Sequence, residues 1–205
     1  MLFRSYGIAG SFSFFGNKTI TTGEGGMIVT NDSELDKRIR KLKNQGNSEE
    51  KKYWHDVIGY NYRMTNLQAA IGYAQLLRID ELVQKKRKIA SLYRKYLNHP
   101  HIKHPSVIEN YDNSFWMYSV LIDFSASDLR DQFIDDLYHK YGIETRPFFY
   151  PVHLLPMYRD TAANFPNVDQ FYFRGVNFPS STTLTEEEIV YITENVKEQL
   201  SSMHL

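Results

Sequence analysis

Between Ser11 and Asp32 the chain reads SFSFFGNKTITTGEGGMIVTND, and no other stretch restricts the fold as much. Small and aromatic residues alternate over Ser11–Phe15, the period of a strand. The glycine cluster Gly23–Gly26 marks a turn, and the apolar Met27–Thr30 reads as a second short strand. Lys18 stands between the aromatic run and the glycines. A lone cation in that position raises a question of chemistry as well as of fold.

Three readings compete for Lys18. A nucleotide-binding P-loop needs a glycine directly before the lysine and a helix directly after it. Here Asn17 separates Gly16 from Lys18, and five residues instead of four lie between Gly10 and Gly16. The chain then runs into a turn and a strand, so the context fails as well as the spacing. The plainest reading is a solvated lysine beside a hairpin turn. The third is a lysine that bonds covalently to pyridoxal phosphate (PLP), which requires an amine held rigidly and partly desolvated. Phe12, Phe14 and Phe15 would supply the packing. Ser13, on the same strand, would offer its hydroxyl to the cofactor phosphate.

The rest of the chain alternates helices and strands, which makes the class α/β or α+β. Asn31-Asp32-Ser33 opens a helix with Leu35, Ile39 and Leu42 on one face, ended by Gly46. Thr65 with Gln68 forms a capping box. Leu67, Ala70, Ile71, Ala74 and Leu77 follow at helical spacing, and the pattern extends to about Leu97. After Pro100, Phe115–Phe124 reads as a strand, Ser127–Tyr141 as a helix stopped by Gly142, and Ile143–Phe149 as a strand. Pro147, Pro151 and Pro156 force an irregular segment. Thr185 and Glu188 form a second capping box, opening a helix with Ile189, Ile192, Val196 and Leu200 inward.

Composition narrows the function classes. Twenty-four basic and 24 acidic residues cancel. No overall field draws the chain to nucleic acid or an anionic membrane, and a charge near zero favours self-association. The chain has no cysteine. Disulfides, thiolate metal sites and cysteine nucleophiles are therefore excluded, and no metal centre is expected. No apolar run reaches the ~20 residues of a membrane span. Nor does the polar N-terminus suit a signal peptide, so the expected location is cytoplasmic.

Ser11–Asp32 resembles the lysine segment of the DegT/DnrJ/EryC1/StrS sugar-nucleotide aminotransferases, fold-type I PLP enzymes. YWHDVIGYNYRMTNLQAAIGYAQL (Tyr53–Leu76) is similar to the loop and helix that follow the lysine in that family. GIETRPFFYPVHLLPMY (Gly142–Tyr158) and VNFPSSTTLTEEEIVYI (Val176–Ile192) resemble its C-terminal domain. The stretch GNKTITTGEGG looks most like members that aminate C4 of a keto-sugar.

The resemblance implies an α/β chain, the C-terminal portion of a fold-type I aminotransferase. Residues 1–65 would be the end of the large PLP-binding domain, 66–98 a connecting helix and 99–205 a small α+β domain. Lys18 would bind PLP covalently and act as general acid and base. Ser13 would hold the PLP phosphate, and Asn61 would reach the phosphate of the cofactor in a partner subunit. Arg63, His153 and Arg146 would face the substrates. Those would be a nucleotide-linked 4-keto-6-deoxy sugar and glutamate, for surface polysaccharide synthesis.

Family members are nearly twice as long. The aspartate segment that pairs with the PLP ring nitrogen in them does not precede Lys18 here. The expected partner is a second copy, in a homodimer, or a separate N-terminal half. The alternative function is a catalytically incomplete fragment that serves only in association.

Overall fold

The computed structural model describes residues 7–159 and 164–203. The chain divides into two compact units, one ending at Asp80 and the other starting at Glu81.

In the first unit, β1 (Ala9–Ser13) and β2 (Gly26–Thr30) pair antiparallel, from Ala9 opposite Thr30 to Ser13 opposite Gly26. Asp32 then caps α1 (Ser33–Lys43), its Oδ1 accepting the Glu34 and Leu35 N–H groups at 2.9 and 3.0 Å. Acidic residues in the first turn and basic residues in the last complement the helix dipole. A loop returns along the end of α1, with Tyr60 N donating to Leu42 O at 2.6 Å and Tyr62 N to Lys43 O at 3.0 Å. Thr65 and Gln68 close the expected capping box at the start of α2 (Asn66–Leu76).

Helical structure does not run unbroken from 66 to 98. Arg78 N bonds to Gln75 O at 2.9 Å, a three-residue step that tightens the last turn of α2, and α3 (Ile79–Tyr96) starts afresh. The apolar stripe of α2 also points the other way from the usual amphipathic helix. Leu67, Ile71 and Leu77 are 80, 54 and 71% exposed. Its sheltered face is Gln68, Gly72 and Gln75. Periodicity identified two faces, but hydrogen bonding decided which one packs.

The second unit is built on an antiparallel sheet in the order β3–β4–β6–β5: β3 (Ile102–Lys103), β4 (Tyr118–Ile122), β6 (Gly175–Phe178) and β5 (Arg146–Pro147). Tyr118, Val120 and Ile122 of β4 turn one face to the core, joined by Val176 and Phe178 of β6. Over this face lie α3, α4 (Ser127–Tyr141) and α6 (Glu186–Ser202), with Tyr93, Phe133, Leu137, Ile189, Val196 and Leu200 buried among them. The start and stop of α4 match the expectation; Gly142, at φ +67°, supplies the left-handed C-cap that a side chain would strain.

Two strands are shorter than their patterns suggested. Phe115 has φ +47°, which breaks the extended run before β4. β5 is confined to Arg146–Pro147, opposite Asn177 and Val176 of β6. Helix α5 (Pro166–Arg174) and strand β6 were not anticipated. The proline-rich segment forms two short 3₁₀ turns, Val152–Leu154 and Pro156–Tyr158. Among the described residues no helix is long and apolar enough to cross a membrane.

Lys86 and His104, polar side chains set into this unit, reach main-chain carbonyls. Lys86 Nζ donates to Trp116 O and Ser180 O at 3.0 and 2.5 Å, and burial lowers its pKa. His104 lies between Leu97 O (2.9 Å from Nε2) and the Tyr118 hydroxyl (2.7 Å from Nδ1). One N–H and one lone pair satisfy both contacts, so the neutral ring carries its proton on Nε2. Burial pushes the His104 pKa down and the Tyr118 pKa up to about 12.

Candidate functional site

The loop between β1 and β2 carries Lys18, and its shape comes from a few main-chain groups. Phe14 N donates to Gly25 O at 2.9 Å, while Phe14 O accepts the Thr22 N–H at 2.9 Å and the Thr21 hydroxyl at 3.0 Å. Inside this closed loop, Lys18 N bonds to Phe15 O at 3.0 Å, forming a turn that leaves the lysine half-buried.

Helix α2 clamps the loop from outside. The Gln75 amide holds both edges of Thr21, donating to Thr21 O at 2.6 Å and accepting from Thr21 N at 3.1 Å. One helical face earlier, Gln68 Nε2 donates to Glu24 O at 3.1 Å. Gly72 lies between them, and a Cβ there would sit 2.8 Å from Thr22 Cγ2. Only glycine lets the helix approach this closely. The loop is thus positioned by residues about 50 places downstream, which sequence reasoning missed. A signal was present: Gln68 and Gln75 are seven apart, on one helix face.

Ser13 ends β1 with its hydroxyl exposed; Oγ accepts the Phe15 N–H at 3.3 Å, which leaves the hydroxyl proton free to donate to an anion. An amine and a hydroxyl donor therefore stand on one fixed hairpin. That donor set fits a phosphorylated aldehyde such as PLP. Glu24 contributes its carbonyl to the loop, accepting from Thr22 Oγ1 at 2.8 Å, in keeping with a structural part.

Asn61 and Arg63 meet at Asn44. Asn61 pairs with Asn44 in an isolated antiparallel bridge, and Arg63 Nη1 donates to Asn44 Oδ1 at 3.0 Å. Both are exposed, as are Tyr60 and Tyr62, whose rings stack 5.1 Å apart. Trp54 is exposed as well, with Lys51 Nζ 4.0 Å from its ring centre. Ser13 and Lys18 thus share the hairpin, and Asn61 and Arg63 share the end of α1.

Arg146 and His153 belong to the second unit. Arg146 is exposed in β5 and pairs with Glu144 at 2.7 Å. A surface pair of this kind contributes little to stability. His153 is different: its side chain is only 12% exposed, with Nε2 3.0 Å from Asp169 Oδ1 and the Phe165 ring 5.0 Å away. Asp169 lies on α5, the helix that the sequence pattern did not reveal.

Comparison with known proteins gives a consistent picture. The DegT/DnrJ/EryC1/StrS aminotransferase family matches residues 4–197. The GDP-perosamine synthase of Escherichia coli O157:H7 is 45% identical over 196 residues, which are 95% of this chain and 52% of that protein. The enzyme of the same name from Vibrio cholerae is 43% identical, over 94% of this chain and 53% of that one. Helicobacter pylori PseC, an aminotransferase involved in the biosynthesis of pseudoaminic acid, superposes with a TM-score of 0.88 at 27% identity, over 97% of this chain and 54% of its own. The chain spans about half the length of the curated relatives it matches.

Proposed function

The chain belongs to the DegT/DnrJ/EryC1/StrS aminotransferase family, and on that premise we propose that it is the C-terminal part of a PLP-dependent enzyme that aminates C4 of a nucleotide-linked 4-keto-6-deoxy sugar, with glutamate as donor. The observation that carries this reading is the Lys18 loop, held at Thr21 and Glu24 by two glutamine amides of α2. The GDP-perosamine synthases at 43 and 45% identity support a GDP-linked sugar as the acceptor.

In this reading residues 1–65 end the large domain, 66–98 connect and 99–205 form the small domain. The location is cytoplasmic.

PLP, when bound, supplies a carbonyl that bonds to amines and a ring that accepts electrons from the carbon being deprotonated. The protein's own residues do the rest. Lys18 Nζ takes the proton from that carbon and returns it elsewhere on the same skeleton, so it serves as base and then acid. Its loop limits how far the amine can wander, and this orientation is worth more than basicity alone. Ser13 Oγ–H donates to the cofactor phosphate. Asn61 serves the cofactor phosphate of a second copy, which makes the active form a dimer. Arg63, Arg146 and His153 bind the acidic and hydroxyl groups of the substrates.

The test is chemical and does not depend on turnover. The chain is incubated with PLP, reduced with borohydride and mapped by mass spectrometry. The expected result is a phosphopyridoxyl group on Lys18, and none in Lys18→Ala. Label spread over surface lysines, and unchanged by Lys18→Ala, would favour the second reading of an associating, non-catalytic piece. That reading draws on the exposed apolar side chains of the first unit.

A further inference from the structure

We propose that Asp169 is the positioning residue for His153, fixing its tautomer so that Nδ1 is presented as a hydrogen-bond acceptor to a hydroxyl of the nucleotide sugar. The proposal rests on the reading of His153 as a substrate contact; the part played by Asp169 comes from the geometry.

His153 sits in the 3₁₀ turn Val152–Leu154, bracketed by Pro151 and Pro156. The prolines restrict the backbone, so the side chain leaves from a fixed point. Asp169 lies in the first turn of α5, where a negative charge is favoured by the helix dipole. The two side chains meet with Nε2 3.0 Å from Oδ1. Oδ1 is sealed from solvent and makes no aligned hydrogen bond, so the contact is a close charge contact with the ring N–H off axis. A buried carboxylate oxygen without a donor is costly, and the imidazole is the donor at hand.

The electrostatics then choose the tautomer. A lone pair on Nε2 would face a negative oxygen at 3.0 Å, whereas a proton there faces an attractive one. The neutral ring therefore carries its proton on Nε2 and its lone pair on Nδ1. Among the described residues Nδ1 has no hydrogen-bond partner, and it is not one of the atoms closed off from solvent. One ring nitrogen is thus committed to the protein and the other turned to an incoming group. His104, whose two nitrogens both bond within the protein, is the contrasting case.

The experiment is ¹⁵N NMR of the full chain with labelled histidine, at a pH well above the ordinary histidine range. His153→Asn assigns the ring, and Asp169→Ala and Asp169→Glu are compared with the unaltered chain. The expected spectrum has Nε2 protonated and Nδ1 unprotonated for His153. Asp169→Ala should mix the two tautomers, and Asp169→Glu should restore the single one. Adding GDP-mannose should shift Nδ1, and Asp169→Ala should weaken its binding about 2- to 10-fold, the worth of one hydrogen bond.

Protonated Nδ1 in the unaltered chain overturns the proposal without any ligand being involved. An unchanged tautomer in Asp169→Ala removes Asp169 as its cause. A tautomer set by Asp169, with Nδ1 unmoved by GDP-mannose, instead overturns the substrate contact of His153 and leaves the positioning intact. Should Asp169→Ala fail to fold, the spectrum of the unaltered chain still decides the tautomer.

Discussion

The two units are stabilised by different means. The buried apolar residues of the described chain all lie between Ile89 and Leu200, in the second unit. In the first, Met27, Ile28, Ile58, Leu67 and Leu77 are among the exposed large hydrophobics, and the buried side chain there is Thr22. Caps, a closed loop, glutamine clamps and ion pairs such as Lys41–Asp56 give it shape. Hydrogen bonds specify a conformation well but contribute only about 0.5–1.5 kcal/mol each. Burial supplies the larger driving force, at about 1.5–3 kcal/mol per large side chain. The first unit therefore has its geometry laid out but, among the described residues, no buried apolar core. A helix such as α2, with no charged residue and its apolar side chains outward, is built to be covered.

The strongest test of this contrast is truncation. Phe133→Ala should cost the second unit about 3–5 kcal/mol in denaturant unfolding, the usual loss for a buried phenylalanine. Leu67→Ala, at 80% exposure, should change the stability of the isolated chain by less than about 0.5 kcal/mol. A comparable loss at both sites would mean that Leu67 is buried in solution, and the contrast would fail.

Next in size is the clamp. Gln75→Leu keeps the volume but removes both bonds to Thr21, and should cost the hairpin about 1–3 kcal/mol. Hydrogen exchange at the Thr21 amide should accelerate, while amides of β4 stay protected. Uniform acceleration would show that the two units unfold together.

The capping boxes offer a matched pair. Thr65→Ala and Thr185→Ala each remove a side-chain bond to the N3 amide, worth about 1 kcal/mol. The Thr185 loss should appear in the main unfolding transition and the Thr65 loss only in local exchange. Equal shifts of the main transition would sink the distinction.

The gentlest probe is pH. His104 is neutral in the fold with its pKa pushed down by burial, so the unfolded chain binds the proton more readily. Stability of the second unit is then full above the ordinary histidine range and falls as pH drops through it. His104→Gln should flatten that slope, and a slope unchanged by the substitution would assign it to other groups.

Local signals proved reliable where one element suffices. Thr65 with Gln68, Thr185 with Glu188, and the run from Ser127 to Gly142 were all legible because each signal, a capping box or a period ended by glycine, lies within one helix. The inward set Ile189, Ile192, Val196 and Leu200 was legible because the burying face and the apolar face coincide. For α2 they do not. Its apolar stripe was visible, but its direction depends on Thr21 and Glu24, more than 40 residues away. Helix α5 and strand β6 escaped for a related reason. Both are short, and the pairing of β6 with β4 and β5 is a long-range event that no local pattern records.

The same division runs through the candidate site. Lys18 and Ser13 stand out in the sequence because the aromatic run, the lone amine and the glycines are contiguous. The rigidity of their loop comes from Gln68 and Gln75, and the partner of His153 is Asp169 of α5. The amino-acid order by itself determined the family, the helices with complete caps and the residue types available for chemistry. Those are set by short-range sterics and by side-chain identity. Only the tertiary structure decided which face of α2 is sheltered, which strands pair and which ring nitrogen of His153 is committed. Each of these is chosen by desolvation and electrostatics between residues that the sequence keeps apart.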